Sequence, residues 1–259
     1  MVVVLSAEFI GLLVVIVTVA GVVNGLAGFG FAVVGTMALA LLVDPATAVA
    51  LMIVPILAAN ATLLSELSAA ELRSCGRRFA PLILSAVVGT LLGMVILDSL
   101  PGGPLRVALG VITLGFVATQ QEAVPLPALG PTRPALDGRP AMVAIGAVSG
   151  LLFGATNVGV QVVAYLRSRE LSYSLFVGAV AMVFVGVNGL RVGAAALLGL
   201  YPTLAIFGLS VVAALPAVAG VAVGSRLRSR VSSPVRRRVV LGLLTVIGVR
   251  LLLGGLGIA

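Results

Sequence analysis

Two short segments place glycines beside small polar residues within long apolar stretches: Asn24–Gly30 (NGLAGFG) and Gly154–Gly159 (GATNVG). Glycine interrupts a helix easily, and the first N–H groups of a helix that restarts after the break lack partners and carry the positive end of its dipole. Two such breaks that meet can bind an anion without a buried charge. The segments therefore predict anion binding by backbone amides, with added hydrogen bonds from Asn24, Thr156 and Asn157.

Each segment lies within a long uncharged stretch. Residues 9–43 contain no charge, which is too many residues for one upright helix and too few for two full crossings of a bilayer core about 30 Å thick. Residues 141–163 form the second uncharged stretch. Backbone left unpaired at membrane depth is tolerated only where it lines a cavity. Each stretch is therefore predicted to be a broken helix or a re-entrant hairpin whose tip holds a ligand.

The composition predicts an all-α polytopic membrane protein. Of the 259 residues, 61% are hydrophobic and 9% charged, and the mean hydropathy is +1.28. The chain has no histidine and one cysteine, Cys75, which excludes histidine–metal sites, Ser-His-Asp chemistry and an internal disulfide. It also lacks a P-loop motif. We therefore expect no metal, no cofactor and no enzymatic activity.

The remaining apolar runs and breaker residues predict three spans in each half of the chain. Residues 122–140, with five prolines, are predicted to form a cytoplasmic linker between a first membrane repeat, 1–121, and a second, 141–259. The predicted spans are 46–64 (after the helix-starting pair Asp44-Pro45), 81–97, 105–121, 171–198, 203–223 and 239–257.

The basic residues predict the topology. All sixteen are arginines, and thirteen of them lie in segments 66–80, 122–140, 164–170 and 224–238. A positive-inside signal explains this pattern better than nucleic-acid binding. All four segments lie on the cytoplasmic side only if each glycine-rich stretch returns to the membrane face from which it started, either as a hairpin or by crossing the membrane twice. Three further crossings in each half then make the two repeats inverted relative to each other.

The two halves also share a glycine pattern, with one residue inserted in the second half. Close helix packing is the favoured interpretation for Gly21 and Gly25 in the first half and for Gly146 and Gly150 in the second. The matched pairs are Gly21 with Gly146, Gly25 with Gly150, and Gly28 with Gly154.

Other polar residues in the spans have two interpretations that the sequence leaves open. Asn60, Asn188, Gln161 and Thr36 face either a substrate path or an interhelical hydrogen bond. Arg191 is either an anion gate or, more commonly for such a position, a snorkelling arginine.

Aromatic and acidic residues near the two segments have alternative roles as well. Phe29, Phe31 and Phe153 are gates or packing residues. Asp44 and Glu170 are the candidates for ion coupling because they occupy matching positions, although an N-cap role explains Asp44 equally well.

The order GLAGFGFAVV, DPATAVAL and SGLLFGATNVG resembles the sulfite exporter TauE/SafE family over essentially the whole chain. The resemblance implies a plasma-membrane secondary transporter that exports a small sulfur-containing anion, such as sulfite, thiosulfate or a sulfonate. It implies that the motifs at Gly25–Gly30 and Gly150–Gly159 contribute to the anion site. The second segment departs from the family's denser glycine run, which leaves the anion's identity open.

These arguments define the expected site and partners. The partners are a small anion, the bilayer, protons or another coupling ion, and a second copy of the chain, with no nucleic acid. The alternatives are a passive anion channel or a non-transporting subunit of a membrane complex. Expected coupling or gating residues are Asp44, Glu170 and Arg191. Expected substrate-binding residues are Asn24, Gly25, Gly28, Phe29, Gly30, Asn60, Gly154, Thr156, Asn157, Gly159, Gln161 and Asn188.

Overall fold

The computed structural model describes residues 6–65, 67–119, 138–167, 169 and 171–258. Within these ranges the chain forms α-helices and no strands, which confirms the all-α class. The helices are α1 (Ala7–Ala27), α2 (Phe31–Leu39), α3 (Pro45–Leu51), α4 (Ile53–Leu64), α5 (Ala69–Ser99), α6 (Gly102–Thr119), α7 (Arg139–Thr156), α8 (Val160–Arg167), α9 (Tyr173–Leu197), α10 (Leu204–Leu227) and α11 (Ser233–Gly255).

Seven helical segments of the described chain are long and apolar enough to cross a membrane. They are α1, the α3–α4 pair, α5, α7, α9, α10 and α11, while α6 is a shorter apolar helix. The 21 residues of α1 alone extend about 31 Å, the thickness of a bilayer core. The chain is therefore a multi-pass membrane protein. Most of the predicted linker, residues 120–137, lies outside the described residues.

The polar run ELSAAELRSCGRRF (66–79) predicts a loop before the span 81–97, and this prediction is wrong over most of its length, because α5 begins at Ala69 and runs through Pro81. Ser68 and Glu71 form a capping box: the Ser68 hydroxyl accepts from the Glu71 N–H at 3.3 Å, and the Glu71 carboxylate accepts from the Ser68 N–H at 2.9 Å. This pair starts the helix before the apolar run begins. The three arginines of the segment therefore lie on a helical extension.

The predicted single helix 46–64 is divided at Met52 into α3 and α4. Proline lacks an N–H, and its ring clashes with the carbonyl four residues earlier, so Pro55 leaves the Leu51 carbonyl without its usual helical donor. The Ser210 hydroxyl of α10 donates to that carbonyl at 2.6 Å. The predicted start is confirmed, since the Asp44 carboxylate accepts from the Ala46 and Thr47 N–H groups.

Glycines bring two pairs of helices into close, parallel contact. A Cβ atom added at Gly21 or Gly25 of α1 would overlap the α10 backbone, at Ala217 for the first and at Val221 for the second. Because residue numbers increase in the same direction along the contact in both helices, α1 and α10 are parallel. The close packing expected for these glycines is confirmed.

The α5–α7 pair repeats this arrangement. A Cβ atom at Gly146 would overlap Leu82 of α5, and one at Gly150 would overlap Ala86, so these helices are parallel too. Between the two pairs, α4 packs against α9, while α10 contacts α4 and α5 contacts α9. α6 packs against α11. The bundle therefore joins elements of the first half to elements of the second at every major contact.

Candidate functional site

Both glycine-rich stretches are interrupted helices, and the first has the hairpin form, because α2 folds back along α1: a Cβ atom added at Gly35 would lie 3.4 Å from the Ala20 side chain. The first break lies between α1 and α2, where Gly28 (φ 78°) and Gly30 (φ 107°) adopt left-handed backbone conformations that glycine tolerates best. The side chain of Asn24 crosses this break: its Oδ1 accepts from the Phe31 N–H, the first of α2, at 3.5 Å. Asn24 is 1% exposed, and its Nδ2 has no hydrogen-bond partner. A buried amide donor thus lies beside the N-terminus of α2.

The second break lies between α7 and α8 and depends on Asn157 instead of glycine. Asn157 has a φ of 59°, and its N–H donates to the Phe153 carbonyl, as the Gly28 N–H donates to the Asn24 carbonyl. The two breaks therefore align Gly28 with Asn157, which corrects the sequence pairing of Gly28 with Gly154. Asparagine is the non-glycine residue that most readily adopts this backbone conformation, because its short side chain bonds locally.

The same alignment pairs Gly25 with Gly154, and the carbonyl of each accepts a hydrogen bond from an arginine. Arg228 Nε donates to the Gly25 carbonyl at 2.8 Å, and Arg191 Nη2 donates to the Gly154 carbonyl at 3.3 Å. The end of a helix carries partial negative charge that would repel an anion. The two guanidinium groups offset that charge where α1 and α7 end.

A cavity lies between the two breaks. Its volume is about 20 Å³, which is enough for one water molecule. Asn24 and Asn60 are its polar lining residues, and Phe29 and Phe184 contribute aromatic walls. Asn60 is 2% exposed; its Nδ2 donates to the Ile56 carbonyl at 2.8 Å, and its Oδ1 has no partner. The lining residues are Asn24, Phe29, Gly30, Phe31, Ala32, Val33, Asn60, Gly159, Val163 and Phe184.

Arg191 is fully buried, so the snorkelling interpretation is wrong. Its Nη1 donates to Asn157 Oδ1 at 2.5 Å and to Asn188 Oδ1 at 3.3 Å, and its guanidinium lies 5.2 Å from the centre of the Phe153 ring. The side chain points into the bundle because the asparagines and the Gly154 carbonyl provide acceptors there. Its partners among the described residues are all neutral.

Asn157 connects this arginine to the first half of the chain. Its Nδ2 donates to Thr36 Oγ1 of α2 at 2.9 Å and to the Val49 carbonyl of α3 at 3.0 Å. The network thus joins α2 and α3 to α7 and α9 at the second break. Tyr201, in the turn after α9, lies within electrostatic reach of Arg191; burial raises the pKa of its phenol, so it stays protonated at neutral pH.

Phe153 and Phe184 separate this network from the cavity. The two rings stack with their centroids 4.9 Å apart, and Phe184 lines the cavity wall. Arg191 therefore affects the cavity through its charge and through the position of these rings. It does not line the cavity in this conformation.

The structure brings only some of the expected site residues together. Asn157 and Asn188 bind Arg191, and the Thr156 hydroxyl donates to the Leu152 carbonyl at 2.5 Å. Gln161 is partly exposed on α8, and Glu170 lies outside the described residues. Those that line the cavity are Asn24, Phe29, Gly30, Asn60 and Gly159; those that do not are Gly25, Gly28, Gly154, Thr156, Asn157, Gln161 and Asn188.

Two contributors to the site were missed in the sequence. Phe184 is one of several apolar residues of a long span, and no local signal distinguishes it. Arg228 belongs to the arginine-rich segment 224–238, whose charge was explained by topology alone. Its position one residue after the end of α10, beside the end of a parallel helix, could have been inferred only if the α1–α10 pairing were known.

One comparison with known proteins identifies a family. The family model for the sulfite exporter TauE/SafE matches residues 13–251, which include both breaks and every residue that lines the cavity. No curated protein and no solved structure matches the chain significantly.

Proposed function

Because the chain belongs to the sulfite exporter TauE/SafE family, we propose that it is a secondary transporter that exports a small sulfur-containing oxyanion such as sulfite, thiosulfate or an organosulfonate. The family relationship supports transport rather than enzymatic catalysis. The observation that carries the proposal is the cavity between the two breaks, where the unpartnered Asn24 Nδ2 lies beside the N-terminus of α2.

The cavity offers an oxyanion donors without a carboxylate to repel it. The first N–H groups of α2 carry the positive end of the helix dipole, and Asn24 adds a side-chain donor. Every carboxylate whose side chain the structure describes, on Glu8, Asp44 and Glu71, lies at or beside the start of a helix. Arg191 is fully buried behind the Phe153–Phe184 pair, so its charge helps to compensate that of a bound anion.

Transport would proceed by alternating access between two inverted repeats. Three matching contacts support this arrangement: α1 packs on α10 as α7 packs on α5, α10 contacts α4 as α5 contacts α9, and the two breaks align residue for residue. Sites at the interface of such repeats are typical of secondary transporters. The cavity is smaller than an oxyanion, so binding requires its walls to separate, as alternating access does.

The arginine-rich segments support a plasma-membrane topology with those segments in the cytoplasm. The α1–α10 and α5–α7 pairs are parallel, α6 and α11 are antiparallel, and the turns that join α5 to α6, α9 to α10 and α10 to α11 are short. These directions group the start of α5, the start of α7 and the end of α10 at one end of the bundle. Arginines concentrate on the cytoplasmic side of membrane proteins.

The test is flux of labelled sulfite into liposomes that contain the purified protein, with and without a proton gradient. Competition by thiosulfate, taurine, sulfate and acetate defines the anion class. We expect saturable flux of a sulfur-containing anion. Absence of flux for all of these anions under either condition contradicts the proposal, and flux that neither saturates nor follows a gradient indicates a passive channel.

Asn24→Leu tests the location of the site. We expect it to reduce transport efficiency roughly 10- to 100-fold, which corresponds to the loss of one hydrogen bond to a charged group. Thr113→Val is the matched control, because Thr113 is a buried polar residue on α6 that hydrogen-bonds only the Leu109 carbonyl and lies away from the cavity. Equal flux in Asn24→Leu and Thr113→Val would place the site elsewhere.

A further inference from the structure

Asn24 and Asn60 both line the cavity, and each has one side-chain amide atom without a hydrogen-bond partner among the described residues. Asn24 Oδ1 accepts from the Phe31 N–H, so Nδ2 is the atom left over. Asn60 Nδ2 donates to the Ile56 carbonyl, so Oδ1 is the atom left over. In both residues the bond already made determines which end of the amide is the oxygen. Two residues that line the cavity therefore hold one donor and one acceptor without partners among the described residues, both on side chains that are at least 98% buried.

An anion without a proton can use only half of this pair. Every oxygen of a sulfonate or of the sulfite dianion is a hydrogen-bond acceptor. Such an anion can accept from Asn24 Nδ2, but it has no donor for Asn60 Oδ1. A buried acceptor left without a donor is unfavourable. A singly protonated oxyanion satisfies both groups, since one of its oxygens accepts from Asn24 while its O–H donates to Asn60.

Resting on the proposed function, we propose that the cavity selects a protonated monoanion, a hydrogen oxyanion of the hydrogensulfite type, over a sulfonate or an unprotonated dianion. The charge of Arg191 favours a bound anion of either kind, because Arg191 is buried and its hydrogen-bond partners among the described residues are neutral. The selection therefore rests on the donor and acceptor of the two asparagines.

The selection would also couple transport to protons without using any carboxylate that the structure describes. The proton crosses the membrane on an oxygen of the substrate and is released to water when the anion ionises on the other side. No bond of the protein forms or breaks. The described carboxylates at the helix starts (Glu8, Asp44 and Glu71) then need no role in proton transfer.

The experiment measures the half-saturating concentration of total sulfite for flux into protein-containing liposomes across the pH range in which hydrogensulfite loses its proton. We expect this concentration to rise about tenfold per pH unit above the pKa of hydrogensulfite, because the protonated fraction falls tenfold per unit. The same series with selenite, whose hydrogen oxyanion loses its proton at higher pH, should move the midpoint upward. Methanesulfonate, which has no proton in this range, shows whether the protein itself titrates.

Asn60→Leu removes the acceptor and should raise the half-saturating concentration of hydrogensulfite about tenfold, which corresponds to the loss of one hydrogen bond, while the half-saturating concentration of methanesulfonate should fall. Thr113→Val, which loses the same kind of bond to the carbonyl four residues earlier, should change neither.

The outcomes separate the two proposals. Flux of sulfite whose affinity stays constant or improves as pH rises overturns the selection of a protonated monoanion and leaves the transporter in place. A midpoint that is the same for sulfite and selenite assigns the titration to the protein and also overturns the selection. No flux of any of the three anions at any pH overturns both proposals.

Discussion

Replacing Asn157 by glycine and by alanine separates two roles that this residue combines at the break between α7 and α8. One role is the left-handed backbone, with φ at 59°. The other is the set of side-chain hydrogen bonds with Thr36, Val49 and Arg191. Glycine preserves the first role and loses the second. Alanine loses both.

The expected loss follows from the bonds that the structure shows. Each neutral hydrogen bond within a membrane protein contributes about 0.6 kcal/mol, and one to a charged group about 2 kcal/mol, so Asn157→Gly should lower the free energy of unfolding by about 3 kcal/mol. Asn157→Ala should lower it by about 1 kcal/mol more, because an L-residue other than asparagine is strained in this backbone conformation. These losses correspond to midpoint shifts of about 9 °C and 12 °C.

Cys75 provides the assay. It is the one cysteine of the chain and is 1% exposed on α5, where its Sγ lies 3.8 Å from the Leu175 carbonyl of α9. A thiol-reactive dye therefore labels the protein only when the α5–α9 contact opens, and the labelling rate against temperature reports the unfolding midpoint. The chain has no tryptophan, so this probe replaces intrinsic fluorescence.

A glycine variant at Asn157 that unfolds at the same temperature as the parent would refute the reasoning. It would mean that the side-chain network contributes nothing and that only the backbone conformation matters. Equal midpoints for the glycine and alanine variants would refute the second part, that the left-handed backbone is costly for alanine.

Further substitutions test the packing and the charge. Gly25→Ala should prevent stable folding, because its Cβ would overlap the backbone of α10, whereas Gly11→Ala has open space and should fold normally; size-exclusion profiles in detergent distinguish the two. Arg191→Leu should abolish anion flux while Arg191→Lys, which keeps the charge, retains part of it; equal flux in both would exclude charge compensation. Ser210→Ala leaves the Leu51 carbonyl without its donor, so its unfolding midpoint in the thiol assay should fall by about 3 °C; an unchanged midpoint would show that this bond is dispensable.

The sequence was sufficient for features that depend on local composition. Long apolar runs span the bilayer, and within it a helix pairs its own backbone groups, so the all-helical membrane class follows from hydropathy. The break at Gly28 and Gly30 follows from the backbone freedom of glycine, and the cap at Asp44 follows from its side chain. Segment 66–79 is an exception: its polar composition indicates a loop, whereas Ser68 and Glu71 form a capping box that starts a helix.

Only the tertiary structure decided which way the polar side chains face and what they meet. Asn60 and Asn188 each donate to the carbonyl four residues earlier, yet Asn60 lines the cavity and the Asn188 oxygen accepts from Arg191. Their own helices do not differ in any way that predicts this. The partners come from segments distant in the chain: Arg191 faces inward because Asn157 and the Gly154 carbonyl approach it from α7. Hydropathy and glycine spacing depend on neighbours along the chain, whereas the rotation of each helix about its axis depends on how separate helices pack.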